Sequence, residues 1–389
     1  MIQQLNLNDE VQDFIRNYTG STAALAFKGS PFPDIPVQEL MQQIDGRRRI
    51  EKKLPLWFDT PNVVYPPKLN LEQTSSETTA IHKASLVSNE SLADLTGGFG
   101  IDSYYFADRV EKVHHFEIDK ELSDLAKHNF QVLKKENIEC FSTDGIAAVS
   151  KTRYQTIYAD PSRRHDSKGK VFFLKDCEPN IPEALPTLLQ HCETLLLKTS
   201  PMLDINVGIE ELKSVSEIHI VAVNNDVKEV LWIVKENPAE KIKIDTINFK
   251  KTAAQRFAFV LGEESQATYS LPQQYLYEPN AAILKSGGFT HVSKALGVEK
   301  LHANTHLYTS DELMDFPGRR FLIEARIPYQ KSAIKKALAF SKANVSTRNF
   351  PESVKTIRKK WKIKDGGSNY LFFITTLDNK KEMLICSKI

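Results

Sequence analysis

Three glycines fall within four positions in "SLADLTGGFGIDS" (residues 91–103), at Gly97, Gly98 and Gly100, directly after an apolar run that ends in Asp94. A strand feeding such a loop lets the backbone approach a ligand and aims the N–H groups of the next helix at it. Asp94 at the strand end suits a ligand that carries positive charge or amino groups, and it would repel a pyrophosphate. The spacing Asp94-x-x-Gly97-Gly98-x-Gly100 also departs from the G-x-G-x-x-G of dinucleotide binders. Glu117, in "VHHFEIDK", is placed to accept hydrogen bonds from two ribose hydroxyls, and Asp119 reads as a helix N-cap. "CFSTDGIAAV" sets Asp144 where it either accepts from an adenine amino group or turns the chain before Gly145. "IYADPSRRHD" puts Asp160-Pro161 at the end of a further strand, where a reacting partner enters an open α/β sheet.

The elements that must position these residues alternate between strand and helix. Apolar runs predict strands at 91–95, 112–118, 138–142, 155–160 and 193–198, with helices between them at, for example, 102–108 and 119–136. "SEIHIVAVNNDVKEVLWIVK" then places Asn224, Asn225 and Asp226 between two β-branched runs, a hairpin signal. Ahead of the sheet, "SPFPDIP" and "DTPNVVYPP" punctuate a mainly helical region. Behind it come a small connecting α+β segment and a final order of strand, helix, short strand, helix and two strands. Pro351 is expected at a helix start, and Gly366–Gly367 after a helix end. The domain boundaries expected are 1–74, 75–240, 241–320 and 321–389.

"DLTGGFGID", "FEID", "STDG" and "DPSRR", in this order, resemble the successive motifs of a class I S-adenosylmethionine (SAM)-dependent methyltransferase. With "LEQTSSETTAIHKA", "LKTSPMLDI", "YLYEPNAAILKSG", "LHANTHLYTS", "FPGRRF" and "DGGSNYLFFIT", nearly the whole chain is similar to a bacterial family of such enzymes with a THUMP-like carboxy-terminal domain. The resemblance implies an α/β, Rossmann-like sheet of parallel strands ending in an antiparallel hairpin, with a helical amino-terminal region and a small α+β terminal domain. It implies SAM as cofactor, with Asp94, Thr96, Gly97, Gly98, Gly100, Glu117 and Asp144 lining its pocket and Ser76 and Thr79 closing it. Asp160, Pro161 and Arg163 would face the acceptor, and Arg164, Lys198 and Ser200 would border the same cleft. Thr96 departs from the pattern, standing where many methyltransferases have another glycine.

Methyl transfer from a sulfonium needs mainly alignment, and a base only where the acceptor must lose a proton. Cytosine-C5 and uridine-C5 chemistry needs a cysteine nucleophile, and neither "DPSRR" nor "KTSPM" offers one. Cys177 and Cys192 read as buried thiols flanking a helix. That leaves a ring or exocyclic nitrogen of guanine or adenine open as the acceptor, with Asp160 accepting a proton or hydrogen bond and Arg163 either stacking on a base or clamping a phosphate.

The net charge of +2 is too small to argue for nucleic acid, but its distribution is uneven. Eleven basic residues between Lys331 and Lys364 meet a single acid, Glu352. Two helices carrying Lys335, Lys336, Arg358 and Lys359 are either a solvated surface or a phosphate-binding face for tRNA or rRNA. Phe350 and Trp361 are core residues or stacking platforms. "DGRRRIEKK" is an exposed helix or an extension of the basic track. No membrane span, secretory signal or metal-ligand spacing is visible, and a cytoplasmic protein is expected. The enzyme reading competes with an RNA-binding protein that has lost transfer, and with a methyltransferase acting on a protein or small molecule.

Overall fold

The computed structural model describes residues 8–87, 89–163 and 173–389. Prolines break the amino-terminal region into short helices: α1 (Asp9–Asn17), α2 (Thr22–Lys28), α3 (Val37–Ile50), α4 (Pro55–Asp59), α5 (Lys68–Gln73) and α6 (Glu77–Ala84). Asn8, Ser21 and Ser76 cap α1, α2 and α6 through their side chains. Val11 and Ile15 on α1, and Leu40 and Ile44 on α3, each pair four residues apart, bury one small core with Leu25 of α2.

The chain then alternates as expected: β1 (Asn89–Asp94), α7 (Ile101–Phe106), β2 (Val110–Phe116), α8 (Lys120–Val132), β3 (Ile138–Phe141), α9 (Gly145–Val149) and β4 (Tyr154–Ala159). The short strands β5 (Ser162–Arg163) and β6 (Cys177–Glu178) pair with each other and precede α10 (Ile181–Gln190), β7 (Cys192–Thr199) and α11 (Ile205–Leu212). The hairpin forms from β8 (Val215–Val223) and β9 (Asp226–Val234), with Asn224 and Asn225 at φ 51° and 67°, as its two-residue turn requires.

Two compact units result, Met1–Ser216 with Leu231–Ala239 and Glu217–Val230 with Glu240–Ile389, so the division runs through the hairpin strands. In the first unit the sheet order is β9-β7-β4-β1-β2-β3, and β1, β2, β3, β4 and β7 pair in parallel. Leu195, Leu196 and Leu197 are all fully buried, as a parallel strand covered on both faces demands.

In the second unit β10 (Lys243–Phe249) pairs in parallel with β8, and β11 (Gln255–Val260) antiparallel with β10. A seven-stranded sheet follows, from β12 (Tyr275–Pro279), β13 (Glu299–Lys300), β14 (Tyr308–Ser310), β15 (Gly318–Pro328), β16 (Asn344–Arg348), β17 (Asn369–Thr375) and β18 (Lys381–Lys388), in the order β13-β14-β12-β15-β18-β17-β16. Helices α12 (Ala281–Ser286) and α13 (Phe289–Leu296) lie between β12 and β13, while α14 (Lys331–Ala337) and α15 (Val354–Trp361) flank β16. Leu371 and Phe373 of β17 join one core with Ile334 and Ile357, and Phe372 and Ile374 join the opposite one with Leu276 and Phe321. That alternation is the period of two of a strand buried on both faces.

One local expectation is corrected. Pro351 does not start a helix: α15 begins at Val354 and is capped by the Ser353 hydroxyl, which accepts from Thr356 N. Phe350 and Trp361 pack against the core beside Ile357 and Phe373, which gives them to packing.

Candidate active site

The loop after β1 is shaped from below. A side chain at Gly97 would collide with the His115 ring, so the backbone passes directly over the imidazole. Gly97 N donates to Phe116 O at 2.8 Å, and Gly98 N to Glu117 Oε2 at 2.8 Å. Gly100, at φ 90°, caps α7 and lies against Phe130. The loop thus joins the ends of β1 and β2, and the space above Gly98 is open.

Asp94, expected to line the cofactor pocket, is taken up by the protein's own groups. Its carboxylate is 1 % exposed, accepting from Ser103 Oγ at 2.6 Å and from Thr96 N at 3.1 Å. Ser103 Oγ also lies 3.2 Å from His115 Nδ1. Donating to Asp94, Ser103 accepts from His115 when Nδ1 carries the proton, which leaves the buried Nε2 without a hydrogen-bond partner. Burial pushes the Asp94 carboxyl up to about 7, against the hydrogen bonds from Ser103 and Thr96. Burial also drives the His115 imidazole down to about 3, so it is neutral at physiological pH.

Glu117 follows β2 half-buried; Oε2 accepts from Gly98 N, and Oε1 from Asp119 N at 2.8 Å. Asp119 is the N-cap of α8, as expected. Between the two acids Ile118 is 76 % exposed, an apolar side chain beside two carboxylates that sequence reasoning passed over. Asp144 caps α9 through Oδ1, which accepts from Ile146 N and Ala147 N, and Oδ2 has no partner among the described residues.

Asp160 and Lys198 stand just beyond β4 and near the end of β7, adjacent parallel strands, and Lys198 Nζ meets Asp160 Oδ2 at 2.5 Å. The Asp160 backbone N–H donates to Thr96 Oγ1 at 2.7 Å. Pro161 is buried, and Ser200 Oγ accepts from Met202 N at 3.2 Å. The structure therefore brings Thr96, Asp160 and Lys198 together. Arg164 and the side chain of Arg163 lie outside the described residues.

Ser76 and Thr79, expected to close the pocket, form the cap of α6 at 3.1 Å between their hydroxyls. Their neighbour Ser75 is the connected residue: its Oγ donates to Asp102 Oδ2 at 2.9 Å, which also accepts from Tyr158 OH at 2.7 Å. The fully buried Lys83 pairs with Asp102 Oδ1 at 3.2 Å. Asp102 so fastens α6 and β4 to the start of α7. Its position two residues after Gly100 was the available signal, since an acid in a first turn that cannot face solvent needs a buried partner.

In the second unit Lys335, Lys336 and Lys359 are exposed on α14 and α15. Three other members of the basic run are neutralised: Arg348 pairs with the buried Glu278 at 2.6 Å, Arg358 with Asp365, one residue past the stretch that holds only Glu352, and Lys360 with Glu352 at 3.0 Å. Among the described residues no helix is long and apolar enough to cross a membrane, and no group of three His, Cys, Asp or Glu side chains could hold a metal ion.

Residues 275–317 match a ferredoxin-like domain family and residues 318–388 a THUMP domain-like family. A "putative methyltransferase" from Porphyromonas gingivalis W83 is 32% identical, with 98% of each chain covered and a TM-score of 0.87. An rRNA methylase from Streptococcus thermophilus is 16% identical over 41% of this chain and 96% of that one, with a TM-score of 0.30. The M. jannaschii tRNA m1G37 methyltransferase is 16% identical over 43% and 51%, with a TM-score of 0.31. Likenesses that distant add nothing to the fold assignment. No curated protein matches the chain significantly. Similarity over the full length to the P. gingivalis protein, with the sheet order and the terminal match, places this chain in the family of class I methyltransferase-fold proteins with a THUMP-like carboxy-terminal domain.

Proposed function

We propose that the chain is a SAM-dependent methyltransferase acting on a base nitrogen of structured RNA, tRNA or rRNA. The observation that carries this reading is the junction of Thr96, Asp160 and Lys198, which ties the glycine loop to the acceptor loop at the ends of β1, β4 and β7.

The residues around the loop fit the cofactor chemically. Glu117 keeps lone pairs beyond the two amides it accepts from, Asp144 Oδ2 is free for an amino group, and exposed Ile118 offers an apolar surface for a purine face. Asp94, buried beneath the loop, holds its shape through Thr96 N and Ser103. SAM, when bound, supplies a methyl group already activated by its sulfonium. The protein's own contribution is alignment and a place for the acceptor's proton. Asp160, oriented by Lys198 and by the hydrogen bond from its own backbone N–H to Thr96 Oγ1, accepts a hydrogen bond from the acceptor N–H, and Pro161 stiffens the loop behind it. Exposed Lys335, Lys336 and Lys359 supply positive charge for a polyanionic substrate.

The test is incubation of the protein with labelled SAM and total RNA from a strain lacking the gene, followed by counting of size-fractionated RNA. Label in tRNA or rRNA that disappears with Asp160→Ala is expected. No label despite calorimetric SAM binding would move the acceptor to protein or metabolite, and no SAM binding would overturn the cofactor assignment.

A further inference from the structure

Arg47, on α3, lays its guanidinium over the Phe58 ring of α4, 3.5 Å from the centroid. Stacking fixes the plane of the group and leaves its N–H fork directed past the ring. Nη1 is buried and has no hydrogen-bond partner, a state that costs free energy unless something fills it. Beside it lies a pocket lined by Gln12, Arg16, Gln43, Asn62 and Tyr65 as well as Arg47.

No carboxylate lines this pocket. Arg16 is exposed in the last turn of α1, and neither arginine has an ion pair among the described residues. Gln43 is committed elsewhere, since it accepts from Tyr65 N at 2.8 Å and donates to Tyr65 O at 2.9 Å. It forms a fixed wall and leaves the two cations as the groups in want of a ligand. Arg47, Arg16 and Tyr65 line this one pocket together, and while burial raises the Tyr65 hydroxyl to about 12, the charges of the two arginines oppose that rise.

We propose that this pocket binds a phosphate group, held by the guanidinium groups of Arg47 and Arg16. Both forks match an oxyanion, and an anion would satisfy Nη1 where a neutral ligand would leave the two like charges facing each other. The pocket shares no lining residue with the Thr96–Asp160–Lys198 junction, and the proposal does not depend on methyl transfer. Its occupant is a phosphate of a nucleic-acid backbone or a free phosphate ion, and the chemistry of recognition is shared.

The experiment follows thermal unfolding of the full chain in phosphate and in chloride, at matched ionic strength and pH. Phosphate is expected to raise the midpoint of the wild type, as a ligand of the folded state does, and Arg47→Gln and Arg16→Gln are each expected to remove that rise. Arg16 is exposed, so its variant keeps the test valid even if Arg47→Gln folds poorly. A second arm titrates structured RNA by fluorescence anisotropy over a salt series. A salt slope reduced by about one in Arg16→Gln identifies a backbone phosphate as the occupant. An unchanged slope, with the midpoint rise lost, identifies the free ion. Equal midpoint rises together with equal slopes in wild type and variants would overturn the site.

Discussion

The Thr96 hydroxyl accepts a 2.7 Å hydrogen bond from the backbone N–H of Asp160, so the residue that departs from the usual glycine loop is the one that fastens it to the loop after β4, where the acceptor is proposed to lie. A glycine there could not make this bond. Thr96→Val keeps the shape and removes the acceptor, leaving a half-buried N–H unpaired at a cost of about 1–3 kcal/mol. Methyl transfer should fall roughly tenfold or more, since a misplaced reacting group loses alignment. Thr96→Ser should restore it. Single-turnover transfer measured beside calorimetric SAM affinity checks this, and full activity in Thr96→Val would dissociate the two loops.

Asp94 and His115 predict opposing pH dependences. The carboxyl is raised from 3.8 to about 7 on folding, so its contribution to stability is complete below pH 3.8 and is lost as pH rises toward 7. The imidazole is lowered from 6.5 to about 3, so its contribution is present above pH 6.5 and is lost as pH falls toward 3. Between these values the two slopes cancel in part. Asp94→Asn retains partners for Thr96 N and Ser103 but removes the carboxyl's titration. On going from pH 7 to pH 4.5 that variant should therefore lose more stability than the wild type, by an amount scaling at about 1.4 kcal/mol per pKa unit. Urea unfolding at the two pH values measures the difference, and parallel losses would refute the coupling.

How much of this was legible in the sequence depended on the range of the interaction. The carboxy-terminal order of strand, helix, strand, helix and hairpin was readable because β17 is a continuous apolar run and because "DGGSN" demands a turn. Glu117, Asp119 and Asp160 were readable from their places at element ends. The partners were not: nothing local tells that Ser103 rather than a ligand takes Asp94, or that Lys83 reaches Asp102 from a helix before the sheet. Arg358 was overcounted as a free charge because its partner, Asp365, sits beyond a turn. Buried polar pairing is a tertiary fact, and periodicity carries no trace of it.

The loop glycines separate by mechanism. Gly97→Ala drives a Cβ into the His115 ring, which is itself held by Ser103, and should destabilise by roughly 1–3 kcal/mol or more through overpacking. Gly98→Ala meets no side chain and pays only for its φ of 55°, about 1 kcal/mol. Chemical denaturation should rank Gly97→Ala well below Gly98→Ala, while SAM affinity should suffer in both, since the open face of Gly98 is where the cofactor is proposed to lie. Equal stability of the two variants would mean that the loop is not packed as described.

Lys335 and Lys336 sit in the last turn of α14, exposed, with Ile334 beside them fully buried. Reversing both charges should leave the fold intact, because neither side chain has an ion-pair or hydrogen-bond partner among the described residues. RNA binding should weaken at every sequence alike, and the slope of log Kd against log salt should shrink by about two, one for each phosphate contact given up. Arg358→Ala provides the contrast, since its guanidinium is already paired with Asp365 and should change the slope less than either lysine. Anisotropy titrations between 50 and 200 mM salt, run beside thermal melts, read both quantities. A lysine double variant that binds RNA with an unaltered slope would remove α14 from the interface and leave its charge as surface solvation.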